Sequence, residues 1–230
     1  MEESILSNKR SSESLNRQGE LLRLYLRNMQ IVKFRINSIR DIQSGNKSTS
    51  YRMTNIEFCV LQIRKILELI ALSALISDMD VYETHLKKIG TMWNAKLIIS
   101  DIERIHPDFY PYPIYFENGE KNIWKDVEDN YLTKDKFIQI YNECGKYLHE
   151  NPIALSNKEI DERYNKVWNQ ITDWGILILN LLNKHIIKLY SSDNIYLIQL
   201  NNDSEAPMGN IFENVIEEER LDDQNETGNA

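Results

Sequence analysis

Glycine and proline are scarce in this chain, 8 and 5 among 230 residues, and that scarcity argues against a turn-rich all-β fold. Cysteine is scarcer still. Cys59 and Cys144 both sit in apolar-periodic segments, so they read as buried free thiols. There is no CxxC pair and no Cys/His grouping with zinc-site spacing, so no metal and no cofactor is expected. Long apolar runs are missing too. The longest, residues 176–182, is interrupted by Asn180 and falls far short of the roughly 20 residues of a membrane span. The N-terminus is polar and carries Glu2 and Glu3, unlike a signal peptide. No GxxxxGK[ST], GxGxxG or GxSxG occurs, which excludes P-loop nucleotide hydrolases and α/β hydrolases. His149-Glu150 opens like a zinc-protease HExxH, but position 153 is Ile. From these absences a soluble, cytoplasmic protein with no membrane association is expected.

What remains is a helix-former's composition, with 42% hydrophobic and 27% charged residues, enough for a real core. The expectation is one mainly α domain over residues 14–216: a bundle of five to seven helices with a small C-terminal antiparallel β element (186–216). A flexible lead (1–13) precedes it, and a disordered acidic tail (217–230) follows. The net charge of −8 is unevenly placed: residues 203–230 hold nine acids and only Arg220 as a base, so the remaining 202 residues are formally neutral. The acidic balance therefore does not exclude nucleic acid.

Residues 14–43 carry the most regular pattern. Leu15, Leu22, Met29 and Ile36 recur every seven residues, as do Tyr25, Val32 and Ile39. Together they make one stripe, as in a coiled-coil seam or a long bundle helix, and suggest a homodimer built on the first helix. Basic residues flank the stripe. Arg23, Arg27, Lys33, Arg35 and Arg40 are either a solvated face or an RNA-binding face.

A second long helix is expected from Thr54 or Asn55 to about residue 78, with Arg64 and Glu68 placed to pair at i, i+4. Two shorter helices follow, over residues 81–90 and 91–105. Pro107, Pro111 and Pro113 then predict an extended, aromatic-rich surface connection, whose Phe109, Tyr110, Tyr112, Tyr115 and Phe116 either pin it to the core or stack nucleobases. Thr133 predicts a helix N-terminus, and Ser156 with Glu159 a capping box. Residues 186–190, 195–200 and 210–216 read as short strands.

The chemistry concentrates at residues 141–152, YNECGKYLHENP. A helix containing Gly145 is expected to run on to His149 and stop before Pro152. Gly145 costs about 1 kcal/mol relative to Ala inside a helix, which suggests that a backbone or ligand approaches closely there. An imidazole with a nearby cation suits metal-independent RNA cleavage, with proton transfer at the ring and charge stabilisation at the phosphate. His149 is the candidate proton carrier, Lys146 and Arg64 the cations, and Asn142 an orienting group. The bland account of His149 is a helix-terminal histidine bonded to carbonyls. His185 reads as buried and backbone-bonded, and His85 and His106 as surface residues.

The layout resembles the HEPN superfamily of helical-bundle proteins, over residues 55–184. The resemblance implies an Arg, four to six residues, then a His near the end of a late helix. It also implies dimerisation and RNA cleavage or binding in toxin–antitoxin and anti-phage defence systems. His149 matches the family histidine; the Arg position falls on Asn142, Glu143 or Cys144. The same stretches are similar to an uncharacterised group of bacterial proteins. The alternative is a non-catalytic protein–protein interaction module or regulatory subunit of a bacterial defence complex, in which a protein partner engages the first helix and the tail.

Overall fold

One long helix organises the rest. In the computed structural model α1 (Glu2–Gln43) begins at Glu2, so helix extends through the segment expected as a flexible lead. The structure describes residues 2–77, 79, 94–117, 124–149, 155–190, 192–202 and 204–212, with side chains from residue 13 onward. The expected acidic tail, the helix over residues 81–90 and His85 lie outside these. The remaining described helices are α2 (Arg52–Ser77), α3 (Ala95–Ile105), α4 (Lys134–Tyr147) and α5 (Asn157–Leu182). The strands are β1 (Tyr112–Phe116), β2 (Trp124–Asp126), β3 (Lys184–Lys188), β4 (Ile195–Gln199) and β5 (Met208–Phe212). The protein is mainly α with a small antiparallel sheet, as its composition and periodicity predict.

The heptad stripe of α1 is filled from within the chain. Leu22, Tyr25, Met29, Val32, Ile36 and Ile39 are each at most 8% exposed, while Leu15 is 42% exposed. α2 runs antiparallel along the C-terminal half of α1: Asn28 donates to Ser73 Oγ at 3.1 Å, and Arg35 to Gln62 Oε1 at 2.6 Å. The reversal needs Gly45, whose φ of +76° lets its N–H reach Ile42 O and close the α1 end. Thr54 and Asn55, expected as caps of α2, instead fasten the loop before it, Asn55 Oδ1 accepting from Thr49 N at 2.7 Å. The seam read as a dimer contact is thus an intramolecular one.

The sheet covers residues 18–26 of α1. Its order is β2-β1-β3-β4-β5, all antiparallel. The three C-terminal strands form the expected meander. The proline-rich stretch corrects the sequence reading: it is no loop across the surface but supplies β1, which pairs with β3 through Tyr112↔Ile186 and Pro113↔His185. That contact is only two residues long, and Pro113 has no N–H to extend it. Phe109 is fully buried and Tyr110 donates to Leu132 O at 2.9 Å, so these aromatics pin the segment to the core. His106, expected at the surface, is 7% exposed with its ring edge-on to Tyr190.

Period-2 alternation puts Tyr196, Ile198 and Gly209 on the helix side of the sheet. Gly209 is there for space: a Cβ would lie 3.0 Å from both Ile198 Cδ1 and Leu22 Cδ1. The opposite face carries a second apolar cluster, Ile114, Ile186 and Leu197, flanked by Phe116 and Ile195, and the Trp124 and Phe212 rings meet edge-on across the curled sheet.

A buried polar link ties the halves together. His185 Nδ1 lies 3.0 Å from Leu182 O and Nε2 lies 2.8 Å from Tyr25 Oη. A carbonyl only accepts, so Nδ1 carries the proton, and the Nε2 lone pair accepts from the Tyr25 hydroxyl. Burial pushes His185 down from 6.5 to about 4. The unfolded ring therefore takes up a proton first. Stability from this residue is complete above pH 6.5 and is lost as pH falls towards 4, by about 3 kcal/mol in all. Denaturant titrations across pH 4–7 are expected to show that slope, and His185→Asn to flatten it. Tyr25→Phe strands a buried acceptor and is expected to lower stability by about 1–3 kcal/mol at neutral pH.

Candidate functional site

Two regions carry the expected site residues, and the structure treats them differently. The first is the end of α4. Thr133 caps its start, accepting from Lys136 N at 3.3 Å, and Ser156–Glu159 forms the predicted capping box of α5. The helix stops at Tyr147, with Leu148 as its cap (φ −94°, ψ 3°), so His149 lies beyond the helical register expected to align it with Lys146 and Gly145. His149 is exposed, as are Asn142 and Lys146. The Lys146 ammonium sits 2.6 Å from Glu143 Oε2, and that bond holds it above the usual lysine range.

Arg64 is turned inward. Its guanidinium lies 4.3 Å over the Tyr141 ring, donates to Tyr141 Oη at 3.0 Å, and pairs with Glu68 Oε1 at 3.4 Å. Lys65 meets the same carboxylate at 2.7 Å. This explains Gly145: a Cβ there would lie 3.2 Å from Arg64 Nη1. The close approach expected at that glycine comes from an arginine of α2, not from a ligand. Among the described contacts Arg64 and His149 do not meet.

Arg163, passed over in the sequence, is more involved in the end of α4. Its guanidinium donates to Lys146 O and stacks 4.8 Å over the Tyr147 ring, supplying the cation that a helix C-terminus favours. The two thiols are buried, as expected. Burial pushes Cys59 up to about 11 and Cys144 up to about 12. Among the described residues no group of three or more His, Cys, Asp or Glu could hold a metal ion.

The second region is α1. Of its five expected phosphate contacts, two serve the fold. Arg35 is bonded to Gln62, as above, and Lys33 Nζ donates to Glu205 O at 2.9 Å and Leu200 O at 3.5 Å, stapling the β4–β5 loop to α1. Arg23, Arg27 and Arg40 are exposed and form no ion pair among the described residues. At about 100° per residue, Arg23 and Arg27 lie about 40° apart, with Phe34 between them in projection. Arg40 points roughly 140° away from Arg27. It borders a groove with Gln43, Thr172 and Ile176 instead.

Phe34 is the residue the sequence reading missed. It is 60% exposed and lines a second groove with Gln30, Lys33, Asn37 and residues 204–206. An aromatic off the heptad stripe, beside two arginines, was the available signal. Among the described residues Gln30 Oε1 is a buried acceptor without a hydrogen-bond partner. The neighbouring acids on α1 are already engaged, Glu20 with Arg17 at 3.4 Å and Asp41 with Lys47 at 2.6 Å.

The structural role of Arg64 can be measured. Arg64→Ala is expected to lower stability by about 1–2 kcal/mol through loss of the ring contact and ion pair. Gly145→Ala is expected to gain about 1 kcal/mol of helix propensity in the Arg64→Ala background and distinctly less in the natural chain. Equal gains in the two backgrounds, by urea titration, would place the guanidinium elsewhere.

Comparison with known proteins adds no relative: no family model, no curated protein and no solved structure matches this chain.

Proposed function

We propose that this protein binds RNA through the outer face of α1 and does not cleave it. The observation that carries this reading is how the cations are divided. Arg23 and Arg27 stand one turn apart, exposed and without an ion-pair partner among the described residues, whereas Arg64 and Lys146 are held by Glu68 and Glu143. Cations that neutralise phosphates release the counterions condensed on the nucleic acid, and an arginine without a carboxylate partner is free to do so. Cleavage needs a cation committed to the transition state beside the imidazole, and here the candidate cations are paired with carboxylates. We therefore take the HEPN resemblance as one of scaffold and ligand class, and the defence setting as one in which this chain would be an RNA-sensing or regulatory component.

A protein partner is the second reading. It is favoured by the exposed Leu24 (40%) and Phe34 (60%) beside the arginines, and such a contact would depend weakly on salt.

The test is a salt series of RNA binding by fluorescence anisotropy, with intact RNA monitored on gels with and without EDTA. The Arg23→Gln/Arg27→Gln variant is expected to bind more weakly and to flatten the log–log salt slope by about 1.4, the share of two phosphates on a single strand. RNA is expected to stay intact, with His149→Ala binding as the natural chain does. Binding indifferent to both arginines would overturn the α1 assignment. Metal-independent cleavage that disappears in His149→Ala would overturn the non-cleaving one.

A further inference from the structure

Resting on the RNA-binding reading above, we infer that the ligand is a single strand, one of whose bases stacks on Phe34 in the groove between α1 and the β4–β5 loop. Phe34 is among the most exposed large apolar side chains described, at 60%, and it stands on the same face of α1 as Arg23 and Arg27. At 1.5 Å per residue, roughly 6 Å separates the two arginines along the helix, and roughly 10 Å separates Arg27 from Phe34. Those are spacings that neighbouring nucleotides of an extended strand can follow.

The groove is built rather than incidental. Its far wall, residues 204–206, is fixed to α1 by the Lys33 ammonium on Glu205 O (2.9 Å). It is also shaped by Asn202, which accepts from Ser204 N at 2.7 Å and donates to Ala206 O at 3.0 Å. Its lining is polar: Gln30, Asn37 and Ser204 border it, and Asn37 is an exposed carboxamide suited to a base edge. Glu205 is exposed and lines the groove; a carboxylate repels a phosphate but accepts from a base amino group, so the base belongs in the groove and the backbone belongs over the arginines. A duplex keeps its base faces covered by stacking and cannot lay one on Phe34; an unpaired strand can.

The experiment compares a labelled 12-nucleotide RNA, its duplex with the complementary strand, and single-stranded DNA of the same sequence. Each is titrated with the full chain, Phe34→Ala and Phe34→Trp. The single-stranded RNA is expected to bind more tightly than the duplex. Phe34→Ala is expected to lose about tenfold or more on the single strand with an unchanged salt slope, because stacking releases no counterions. Phe34→Trp is expected to retain affinity. Circular dichroism melting checks that Phe34→Ala, a change at an exposed position, leaves the fold intact. If the duplex binds as well as the single strand and Phe34→Ala is silent, the stacking site is refuted while the arginine face stands. Tighter binding of the DNA strand would refute RNA as the ligand. If the natural chain binds none of the three, the proposed function falls and this inference with it.

Discussion

The apolar stripe of α1 is what the helices and the sheet share, and it has two different occupants. Residues 28–42 pack on α2, with Asn28–Ser73 and Arg35–Gln62 marking the antiparallel register. Residues 18–26 pack on the sheet, where Tyr25 donates to His185, Gly209 leaves room for Leu22, and Tyr196 Oη donates to Gln18 O at 2.8 Å. A helix this long cannot bury one face on a single short partner. Sharing it between a helix and a sheet is what joins both parts of the fold into one core.

That arrangement decides which charges are left for function. Once the stripe faces inward, the residues at its margins are drawn in with it: Arg35 reaches Gln62 and Lys33 reaches the β4–β5 loop. Arg23, Arg27 and Phe34 lie opposite the buried stripe and stay outside. The basic content of α1 is therefore partly structural and partly available, and only the packing separates the two.

The same distinction applies at α4. An arginine, a lysine, an asparagine and a histidine close in sequence or in helical register suggest a cleavage site. In the fold the arginine lies flat on Tyr141 in the space left by Gly145, and the lysine is tied to Glu143. Arg64 buries apolar stem and guanidinium face against a ring, which a solvated arginine waiting for phosphate would not do. The glycine that looked like a ligand clearance is a clearance for a side chain from the neighbouring helix.

Much of the architecture was legible locally. The heptad repeat of α1, the cap at Thr133, the Ser156–Glu159 box, the buried thiols and the C-terminal strands all follow from interactions within a few residues, which composition and spacing report directly. So did the burial of His185, though not its partner Tyr25, 160 residues away. The incorporation of residues 112–116 into the sheet, the covering of the α1 stripe, the burial of His106 and the inward turn of Arg64 were not legible. Each depends on which distant segment arrives beside it. Sequence determines which residues want to leave water and which local geometry they adopt; only the tertiary structure decides what they meet, because burial is non-directional and any apolar face of the right size will satisfy it.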